Sequence, residues 1–493
     1  MDRFYLIGGR LGHSWSAEIH RAFGRYNYEL LELSPAELGP FLKAREFAGL
    51  NVTIPCKEAV IPFLDRLDPA AAAIGAVNTI VNRDGVLWGY NTDFGGLRAS
   101  LERLCAAGAA QTSPACRASK PVERCRQPEA TGTSAFSAES PVGSRCTSRT
   151  AVPGATSDAF GPLWQQATGF SQKTVVILGT GGTSKTALAV CRALGAARIL
   201  RVSRTGREGA LTYEQAVALF EGPPHPSASQ TPSPQGEGSG TSRLILVNCT
   251  PVGTWPNNDE TPWSLTRCQG PSCVFDCVYN PLRTRLVLEA RARGGAAMGG
   301  LYMLVKQAAL ACELFTGTPV EDEQVDIIYN SLRREQENLV LIGMPGAGKT
   351  TVGRILAQKT GREFVDSDEE IVNHAGKTIS AIFAADGEAA FRDLEAEVLR
   401  EAASKPGRVI SVGGGAILRE ENLRRLRQTG RLILLDRSLE ALVPTPDRPL
   451  GDTAEKLRKL YIERYPIYRA AADLTVPVAA TVEDTADAIL TAL

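Results

Sequence analysis

Short apolar runs alternate with amphipathic stretches over most of this chain, which is the pattern of α/β proteins. In residues 1–104 these runs predict the strands of an open α/β sheet, at Phe4–Ile7, Tyr28–Leu33, Gly49–Ile54 and Val77–Val81. The stretches between the runs have the spacing of helices that cover a sheet. Residues 1–104 therefore predict one α/β domain.

The same pattern begins again at residue 171, where a strand, a glycine turn, a helix and a second strand follow in that order. This βαβ opening predicts a Rossmann-type domain over residues 171–302, with its first helix at Ser184–Leu194. Its predicted strands are Lys173–Leu178, Ala197–Val202, Arg243–Asn248 and Cys273–Val278. An apolar helix near residues 303–318 is expected to close the first domain.

A third start lies at residue 338. The strand Leu339–Ile342 leads to another glycine turn and another helix, so residues 338–493 predict a further α/β domain with a parallel sheet. Residues 319–337 are polar and helical in pattern, which predicts a short, stiff linker between the two halves of the chain.

Two segments interrupt the pattern. Residues 105–170 and 221–242 are rich in Ser, Thr, Pro, Gly and Ala and have almost no hydrophobic period. Such segments cannot bury enough apolar surface to order themselves, so both are predicted to be disordered insertions. The first contains Cys116, Cys125 and Cys146 but no histidine, which argues against a metal site there.

Composition narrows the function classes. The 54 basic and 54 acidic residues give this 493-residue chain a net charge of zero, so no positive field attracts nucleic acid. No long apolar run or export signal points to a membrane, and we expect a cytoplasmic protein whose partners are small molecules. The 11 cysteines lack paired spacing, which favours reduced thiols over disulfides or zinc. The pattern carries no information on the oligomeric state.

The segment Gly343–Thr350 fits the GxxxxGK[ST] phosphate-binding pattern between a strand and a helix. Its backbone N–H groups and the helix dipole attract phosphate oxygens, Lys349 reaches the β- and γ-phosphates, and Thr350 offers a hydroxyl to Mg²⁺. This predicts an ATP site formed by Gly343, Gly346, Ala347, Gly348, Lys349, Thr350 and Thr351.

Further polar clusters follow the phosphate loop. Asp366 and Asp368 alternate after an apolar strand, so one can hold Mg²⁺ while the other takes a hydroxyl. Then come Arg392 with Glu395, the glycines Gly413–Gly415, Arg448 and Arg464. In this order the motifs resemble the shikimate kinase family over residues 338–493.

That resemblance implies transfer of the γ-phosphoryl group of ATP to the 3-hydroxyl of shikimate. It implies that Arg392 and Arg464 hold the substrate carboxylate, that Asp368 accepts the proton of the attacking hydroxyl, and that Gly414 and Gly415 contact the ring. Thr350 and Asp366 would bind Mg²⁺, and Arg448 would contact the transferring phosphate. The segment Leu439–Arg448 is shorter than the family's lid and lacks the arginine that stacks on adenine, so we expect changed lid closure and adenine affinity.

The turn Leu178–Ser184 has the GxG spacing of a dinucleotide-binding loop between a strand and a helix. The next strand does not end in the carboxylate that grips an NAD ribose; Arg204 follows it instead. A guanidinium favours the 2′-phosphate of NADP(H). The predicted cofactor residues are Gly179, Gly181, Gly182, Ser203, Arg204, Thr205 and Arg207.

Polar motifs in the first block alternate with apolar residues where a pure core would have none. They include Ser14-Trp-Ser16, Asn51-Val-Thr53 ending at Lys57, Asn78-Thr79, Asn91-Thr92-Asp93, Asn248–Gly253, Asp276–Pro281 and Gly299–Ala308. Jointly they resemble the shikimate dehydrogenase family over the ordered parts of residues 1–318. The resemblance implies reduction of 3-dehydroshikimate to shikimate by NADPH.

Site roles follow from this second resemblance. Ser14 and Ser16 would bind the carboxylate, and Lys57 with Asp93 would form the acid–base pair. Ring hydroxyls would contact Asn51, Thr53, Asn78, Asp93 and Gln307, with Tyr279 near the substrate and Met303 against the nicotinamide. An ammonium beside a ketone that takes hydride can stabilise the alkoxide and supply its proton.

The two resemblances agree, because the product of the first reaction is the substrate of the second. The sequence therefore predicts a fused, bifunctional enzyme that uses NADP(H), ATP and Mg²⁺. Two alternatives stay open: a quinate-type dehydrogenase that uses NAD(H), or one half that has become a non-catalytic ligand-binding module.

Overall fold

The computed structural model describes residues 3–9, 11–12, 14–112, 170–207, 209–220, 244–265, 273–442 and 453–493. These residues form three sheets, each with helices packed against it and each with its own buried core. The α/β class expected from the sequence is confirmed. Within these ranges, no helix is long and apolar enough to cross a lipid bilayer.

The first sheet is mixed and has six strands in the order β2-β1-β3-β5-β6-β4. These are β1 Phe4–Gly8, β2 Tyr28–Glu32, β3 Gly49–Val52, β4 Arg66–Leu67, β5 Thr79–Arg83 and β6 Val86–Tyr90. Strand β1 is parallel to β2 and β3, whereas β5 is antiparallel to β3 and β6. The helices of this part are Ser16–Phe23, Pro35–Ala44 and Pro69–Ile74.

One predicted strand of this sheet is displaced. Strand β5 begins at Thr79 rather than at Val77, because the Val77 N–H donates to the Lys57 carbonyl and not to a neighbouring strand. The turn after β5 has positive φ at Asp84 and Gly85, which lets the chain fold straight back into β6, a strand that the apolar pattern does not predict.

The second sheet has five parallel strands in the order β11-β10-β9-β7-β8. These are β7 Thr174–Leu178, β8 Arg198–Val202, β9 Leu244–Asn248, β10 Cys273–Asp276 and β11 Ala296–Met298, and its helices are Gly182–Ala193, Tyr213–Phe220 and Arg285–Ala292. Because the strands are parallel, the residues that follow β7, β8, β9 and β10 emerge at one edge of the sheet.

Two long helices, Thr92–Thr112 and Leu301–Thr316, pack against each other and join the first two sheets. Their close approach requires Gly96, where an added Cβ would lie 2.8 Å from the Met303 carbonyl oxygen. This packing brings Asp93, at the start of one helix, to the same cleft as Met303 on the other.

The helix Thr92–Thr112 also corrects an expectation. Residues 105–112 belong to the segment that was predicted to be disordered, yet the helix continues through them. Leu101 and Leu104 are buried, and the alanine-rich sequence that follows has high helix propensity. At the far end of the segment, Phe170 is buried in the second core. Residues 113–169 and 221–243 lie outside the described residues, so the remaining prediction about the insertions stays a prediction.

The third sheet has five parallel strands in the order β13-β14-β12-β15-β16. These are β12 Asn338–Ile342, β13 Phe364–Asp366, β14 Val409–Ser411, β15 Gly430–Asp436 and β16 Leu474–Pro477. Its helices are Lys349–Thr360, Ser367–Ala375, Ile379–Ser404, Glu420–Thr429, Ala454–Ala471 and Val482–Ala492. The stretch before β12 is a helix, Asp322–Gln336, whose buried Val325, Ile328 and Leu332 pack against the helix Leu301–Thr316.

Candidate active sites

A cavity of about 370 Å³ lies between the first and second sheets. Residues from both sheets line it, together with the helix Leu301–Thr316. Of the residues predicted for substrate or catalysis in this half, all lie on its wall: Ser14, Ser16, Asn51, Thr53, Lys57, Asn78, Asp93, Tyr279 and Gln307. Met303, predicted to face the cofactor, lines it as well.

The centre of this wall is a lysine–aspartate ion pair. Lys57 Nζ donates to Asp93 Oδ2 at 2.5 Å, and the two side chains are only 14% and 10% exposed. Asp93 lies in the first turn of the helix Thr92–Thr112, where the helix dipole stabilises its negative charge. The pair therefore presents an ammonium of fixed orientation to the cavity.

Buried amide side chains hold one another beside this pair. Asn51 Nδ2 donates to Thr79 Oγ1 at 3.0 Å, and Asn51 Oδ1 accepts from the Tyr28 hydroxyl at 2.8 Å. Asn78 Oδ1 accepts from the Thr92 N–H at 2.7 Å, while Asn78 Nδ2 lies 3.3 Å from Gln307 Oε1. These bonds fix which end of each amide faces the cavity, as recognition of hydroxyl groups requires.

The two serines lie at the start of the helix Ser16–Phe23. Ser14 Oγ donates to Ser16 Oγ at 3.1 Å, and the helix N-cap is Trp15, which makes no side-chain capping bond. Both hydroxyls line the cavity. The Tyr279 ring packs against Trp15, with the ring centroids 5.1 Å apart, and burial raises the pKa of this tyrosine, so the phenol stays neutral.

The glycine turn after β7 lies where a pyrophosphate would meet a helix N-terminus. Gly179 has a φ of 107°, Gly181 is the N-cap, and the helix begins at Gly182. A Cβ on Gly179 would lie 3.2 Å from Thr250 Cγ2, so a side chain would crowd the turn. Thr183, next in this helix, lines the cavity. The turn therefore fits the phosphates of a dinucleotide.

The residues after β8 fit the 2′-phosphate of NADP. Ser203 Oγ accepts from the Gly206 N–H at 3.1 Å, which shapes a short turn. On this turn Arg204, Thr205 and Arg207 are exposed. No carboxylate stands at the end of β8 to repel a 2′-phosphate, and two guanidinium groups are free to approach one.

A buried aspartate lies beneath the cavity, at the end of β10. Asp276 accepts hydrogen bonds from Asn248 Nδ2, the Val278 N–H and Thr284 Oγ1. Its burial raises the pKa of the carboxyl group to about 6, although the three hydrogen bonds act in the opposite direction. Asp276 therefore links the segments that follow β9 and β10, and its contribution to the free energy of folding depends on pH.

The second candidate site lies at the carboxyl edge of β12, β13 and β14. The phosphate loop after β12 has positive φ at Gly343, Gly346 and Gly348, and Ala347 within it is buried. Lys349 is 6% exposed and donates to the carbonyl oxygens of Gly343 and Met344 at 3.0 and 3.1 Å. The Lys349 side chain therefore lies over the phosphate loop, next to the place where the phosphates would bind.

Thr350 and Asp366 meet beside the loop. Thr350 Oγ1 donates to Asp366 Oδ2 at 2.6 Å, so a hydroxyl and a carboxylate oxygen are already adjacent. Such hard oxygen ligands suit Mg²⁺, which takes its other ligands from phosphates and water. Thr351, predicted to bind ATP, follows in the first turn of the helix with an exposed side chain.

A buried arginine–glutamate pair forms the other wall of this site. Arg392 Nη1 donates to Glu395 Oε2 at 2.9 Å, and the Glu395 side chain is 1% exposed. Burial raises the pKa of Glu395, while Arg392 acts to lower it. An added Cβ would lie 2.4 Å from Arg392 Nη1 at Gly415 and 2.7 Å from Asp368 Oδ1 at Gly413. These glycines give two charged groups the room they occupy.

Arg464 and Tyr468 complete that wall from the helix Ala454–Ala471. The Tyr468 hydroxyl donates to the Gly414 carbonyl oxygen, and Arg464 lies beside the same hydroxyl. Two guanidinium groups, of Arg392 and Arg464, therefore flank one tyrosine next to Gly414. This arrangement can hold a planar carboxylate by its two oxygens.

One predicted residue falls outside the described residues. Arg448 and the rest of residues 443–452 belong to the expected short lid, of which the structure describes the 3₁₀ turn Leu439–Ala441. The roles given to Arg448 and to the lid stay predictions.

Sequence reasoning missed several residues of both sites. Thr254 and Trp255 line the first cavity, and Tyr468 closes the second, but none of them lies in a turn or charge pattern that singles it out. Glu395 was named with Arg392 from their helical spacing, but its burial was not predicted because it depends on distant packing.

Comparison with known proteins gives separate matches for the two parts of the chain. The family model "Shikimate dehydrogenase substrate binding domain" matches residues 6–80, and "Shikimate kinase" matches residues 345–493. The shikimate dehydrogenase (NADP(+)) of Moorella thermoacetica is 32% identical, over 63% of this chain and 87% of its own. The shikimate kinase of Chromohalobacter salexigens is 45% identical, over 28% of this chain and 81% of its own. A solved shikimate dehydrogenase from Peptoclostridium difficile is 27% identical, over 67% of this chain and 98% of its own, with a TM-score of 0.47.

Proposed function

The chain belongs to the shikimate dehydrogenase family in its first part and to the shikimate kinase family in its second, and from this premise we propose how the residues of each site act. It is a bifunctional enzyme of the shikimate pathway. One site reduces 3-dehydroshikimate to shikimate with NADPH, and the other phosphorylates shikimate with ATP.

In the dehydrogenase, Lys57 is the general acid. The single observation that carries this role is the Lys57–Asp93 pair, held at 2.5 Å on the wall of the cavity. NADPH supplies the hydride that reaches the carbonyl carbon. The carbonyl oxygen then takes a proton from Lys57 Nζ, while Asp93 keeps that ammonium aimed at the oxygen and stabilises its charge before the transfer.

The polar wall orients the substrate for this transfer. Ser14 and Ser16 donate to the carboxylate, and Asn51, Thr53, Asn78 and Gln307 bind the ring hydroxyls. Because buried neighbours fix the orientation of the Asn51 and Asn78 amides, these amides offer hydrogen-bonding atoms to ring hydroxyls only at fixed positions. Such a wall favours one cyclohexene acid over its analogues.

NADP(H) would be held at the second sheet. Gly179, Gly181 and Gly182 take the pyrophosphate at the helix N-terminus, and Arg204 with Arg207 takes the 2′-phosphate, on the turn formed by Ser203 and Thr205. Met303 would lie beside the nicotinamide. The exposed guanidinium groups support NADP(H) over NAD(H).

In the kinase, Asp368 is the base and Lys349 neutralises charge on the transferring phosphoryl group. Arg392 and Arg464 hold the carboxylate, so that the 3-hydroxyl faces Asp368. Asp368 accepts the hydroxyl proton as the oxygen bonds to the γ-phosphorus, and the bond from that phosphorus to the ADP oxygen breaks, so ADP leaves. The backbone of Gly414 and Gly415 would contact the ring. Mg²⁺, held by Thr350 and Asp366, would supply further charge neutralisation at the phosphates.

The kinase role is tested by Lys349→Ala, with Lys359→Ala as the matched control. Lys359 lies on the same helix, Lys349–Thr360, but pairs with Asp487 at the surface. We expect Lys349→Ala to abolish shikimate-dependent ADP release while Lys359→Ala keeps it. An undiminished rate in Lys349→Ala protein would reject the assignment.

The dehydrogenase role is tested by steady-state rates of the unaltered enzyme with two acids and two cofactors. We expect 3-dehydroshikimate with NADPH to give the highest kcat/KM. If dehydroquinate with NADH were the better pair, the quinate-type alternative would replace this proposal, and if no pair reacted, the first half would be a binding module.

A further inference from the structure

The two halves of the chain meet through a polar interface. Its kinase side is the helix Glu420–Thr429, here called the docking helix. Its dehydrogenase side consists of residues 253–260, here called the cleft loop, and of Arg283, which lies just before the helix Arg285–Ala292.

Arg283 caps the carboxyl end of the docking helix. Its N–H donates to the Gln428 carbonyl oxygen at 3.0 Å, and its Nε donates to the Arg427 carbonyl oxygen at 2.7 Å. Its Nη2 donates to the Gly430 carbonyl oxygen at 2.6 Å and to Glu337 Oε1 at 2.8 Å. The last carbonyls of a helix lack partners within it, so a guanidinium at this end satisfies them and meets a favourable dipole.

The cleft loop is bound to the same helix by charge. Asp259 accepts from Arg424 Nη2 at 2.9 Å and from Arg425 Nη2 at 2.8 Å. The carbonyl oxygen of Asn258 accepts from Gln428 Nε2 at 2.6 Å. Burial acts to raise the pKa of Asp259, but the bonds from Arg425 and Arg424 outweigh it and lower that pKa. Asp259 is therefore ionised throughout the neutral range.

The other end of the cleft loop is part of the dehydrogenase cavity. Thr254 and Trp255 line it, and the Trp255 N–H donates to the Asn280 carbonyl oxygen at 3.1 Å. Two backbone bonds, Asn257 N–H to Thr254 O at 2.9 Å and Glu260 N–H to Asn257 O at 3.2 Å, make the loop a connected unit. These bonds link the part of the loop that carries Asp259 to the part that lines the cavity.

We propose that the docking helix of the kinase half positions one wall of the dehydrogenase cleft, with Asp259 and Arg283 as the positioning residues. This inference rests on the dehydrogenase function proposed above. Thr254 and Trp255 stand on the second-sheet side of the cavity, with Thr183 of the glycine turn, whereas Lys57 and Asp93 come from the first part of the chain. Loosening the wall should weaken ligand binding and leave the proton transfer intact.

The test places the substitution in the half that does not hold the site. In the full chain, Arg424→Glu with Arg425→Glu sets two carboxylates against Asp259 without touching a dehydrogenase residue. We expect the KM for NADPH and the Kd for NADP⁺ to rise about fivefold or more, the lower end of ordinary coupling between distinct sites. The kcat of the dehydrogenase and both KM values of the kinase should stay within about twofold.

Rescue and controls separate docking from general damage. Adding Asp259→Arg to the double variant restores attraction across the interface and should return most of the lost affinity. Gln428→Glu, a second kinase-side variant, opposes a carboxylate to the Asn258 carbonyl oxygen and should act in the same direction more weakly. Lys359→Glu breaks an ion pair within the kinase half and should change neither value.

Unchanged affinity for NADP⁺ in both the double variant and Gln428→Glu would overturn the proposal. So would a loss that Asp259→Arg fails to restore, because the effect would then not pass through this contact. If the unaltered enzyme did not oxidise NADPH with 3-dehydroshikimate, the proposed function would fail instead, and the Kd of NADP⁺ would still report on the wall.

Discussion

Gly415→Ala is expected to weaken shikimate binding by the kinase because it displaces one guanidinium group. The backbone at Gly415 has φ −97° and ψ −11°, which alanine adopts without strain. Its Cβ would lie 2.4 Å from Arg392 Nη1, whereas ordinary contacts begin at 3.4 Å. Arg392 must therefore retreat by about 1 Å, the difference between those two distances.

The size of the effect follows from what Arg392 would bind. A hydrogen bond to a charged group contributes about 1.5–3 kcal/mol, and each 1.36 kcal/mol is a factor of ten. Losing the aligned guanidinium–carboxylate contact should raise the KM for shikimate by about 10- to 150-fold. The fold should survive, because the atoms in the way belong to the mobile end of a side chain.

Coupled measurement of ADP release gives KM and kcat, and Tm reports on the fold. The decisive comparison is a cycle with Arg392→Ala, since Gly415→Ala should cost almost nothing further once that side chain is gone. The dehydrogenase constants serve as the internal control. A KM that does not change, or two effects that simply add, would refute this reasoning.

Three further predictions concern the dehydrogenase half. Lys57→Ala should lower its kcat by about 10²–10⁴-fold and leave the kinase unchanged. Lys185→Ala, which removes a partly exposed lysine paired with Glu58, should keep full activity, and equal losses in both reactions would contradict separate sites. Arg204→Ala should raise the KM for NADPH about tenfold or more but not that for NADH; equal changes for both cofactors would reject the 2′-phosphate contact. Asp276, with its pKa raised to about 6, binds more protons in the folded state than unfolded, so its contribution to stability falls as pH rises from about 4 to about 6. The Tm of the Asp276→Asn variant minus the Tm of the unaltered protein should therefore increase over that pH range and then level off. A difference that does not change with pH would contradict the assignment.

Local pattern predicted those parts of the molecule that local forces determine. The buried strands β7, β9 and β12 are continuous apolar runs, and both glycine turns follow a strand and start a helix, as their spacing indicated. Strand β6 could not be predicted in this way, because its pairing depends on the positive φ at Asp84 and Gly85 rather than on a long apolar run.

Contacts between distant residues account for what the sequence did not reveal. Lys57 and Asp93 could be paired only through the family resemblance, since packing of the helix Thr92–Thr112 brings them together. Asp259 and Arg424 lie 165 residues apart. The neighbouring sequence alone predicts a solvated surface charge at each of them. The apolar pattern also placed the end of the first ordered segment too early, before residue 105. Buried Leu101 and Leu104 anchor a helix that continues to Thr112.

The central claim is that one cyclohexene acid is reduced at the first cavity and phosphorylated at the second. The most direct measurement incubates the purified full chain with 3-dehydroshikimate, NADPH, ATP and Mg²⁺ and follows every acid by mass. The account predicts that the ketone gives way to shikimate 3-phosphate, that Lys349→Ala protein stops at shikimate, and that Lys57→Ala protein leaves the ketone nearly untouched. Phosphorylation of the ketone itself, or accumulation of shikimate by the unaltered enzyme with ATP present, would contradict it.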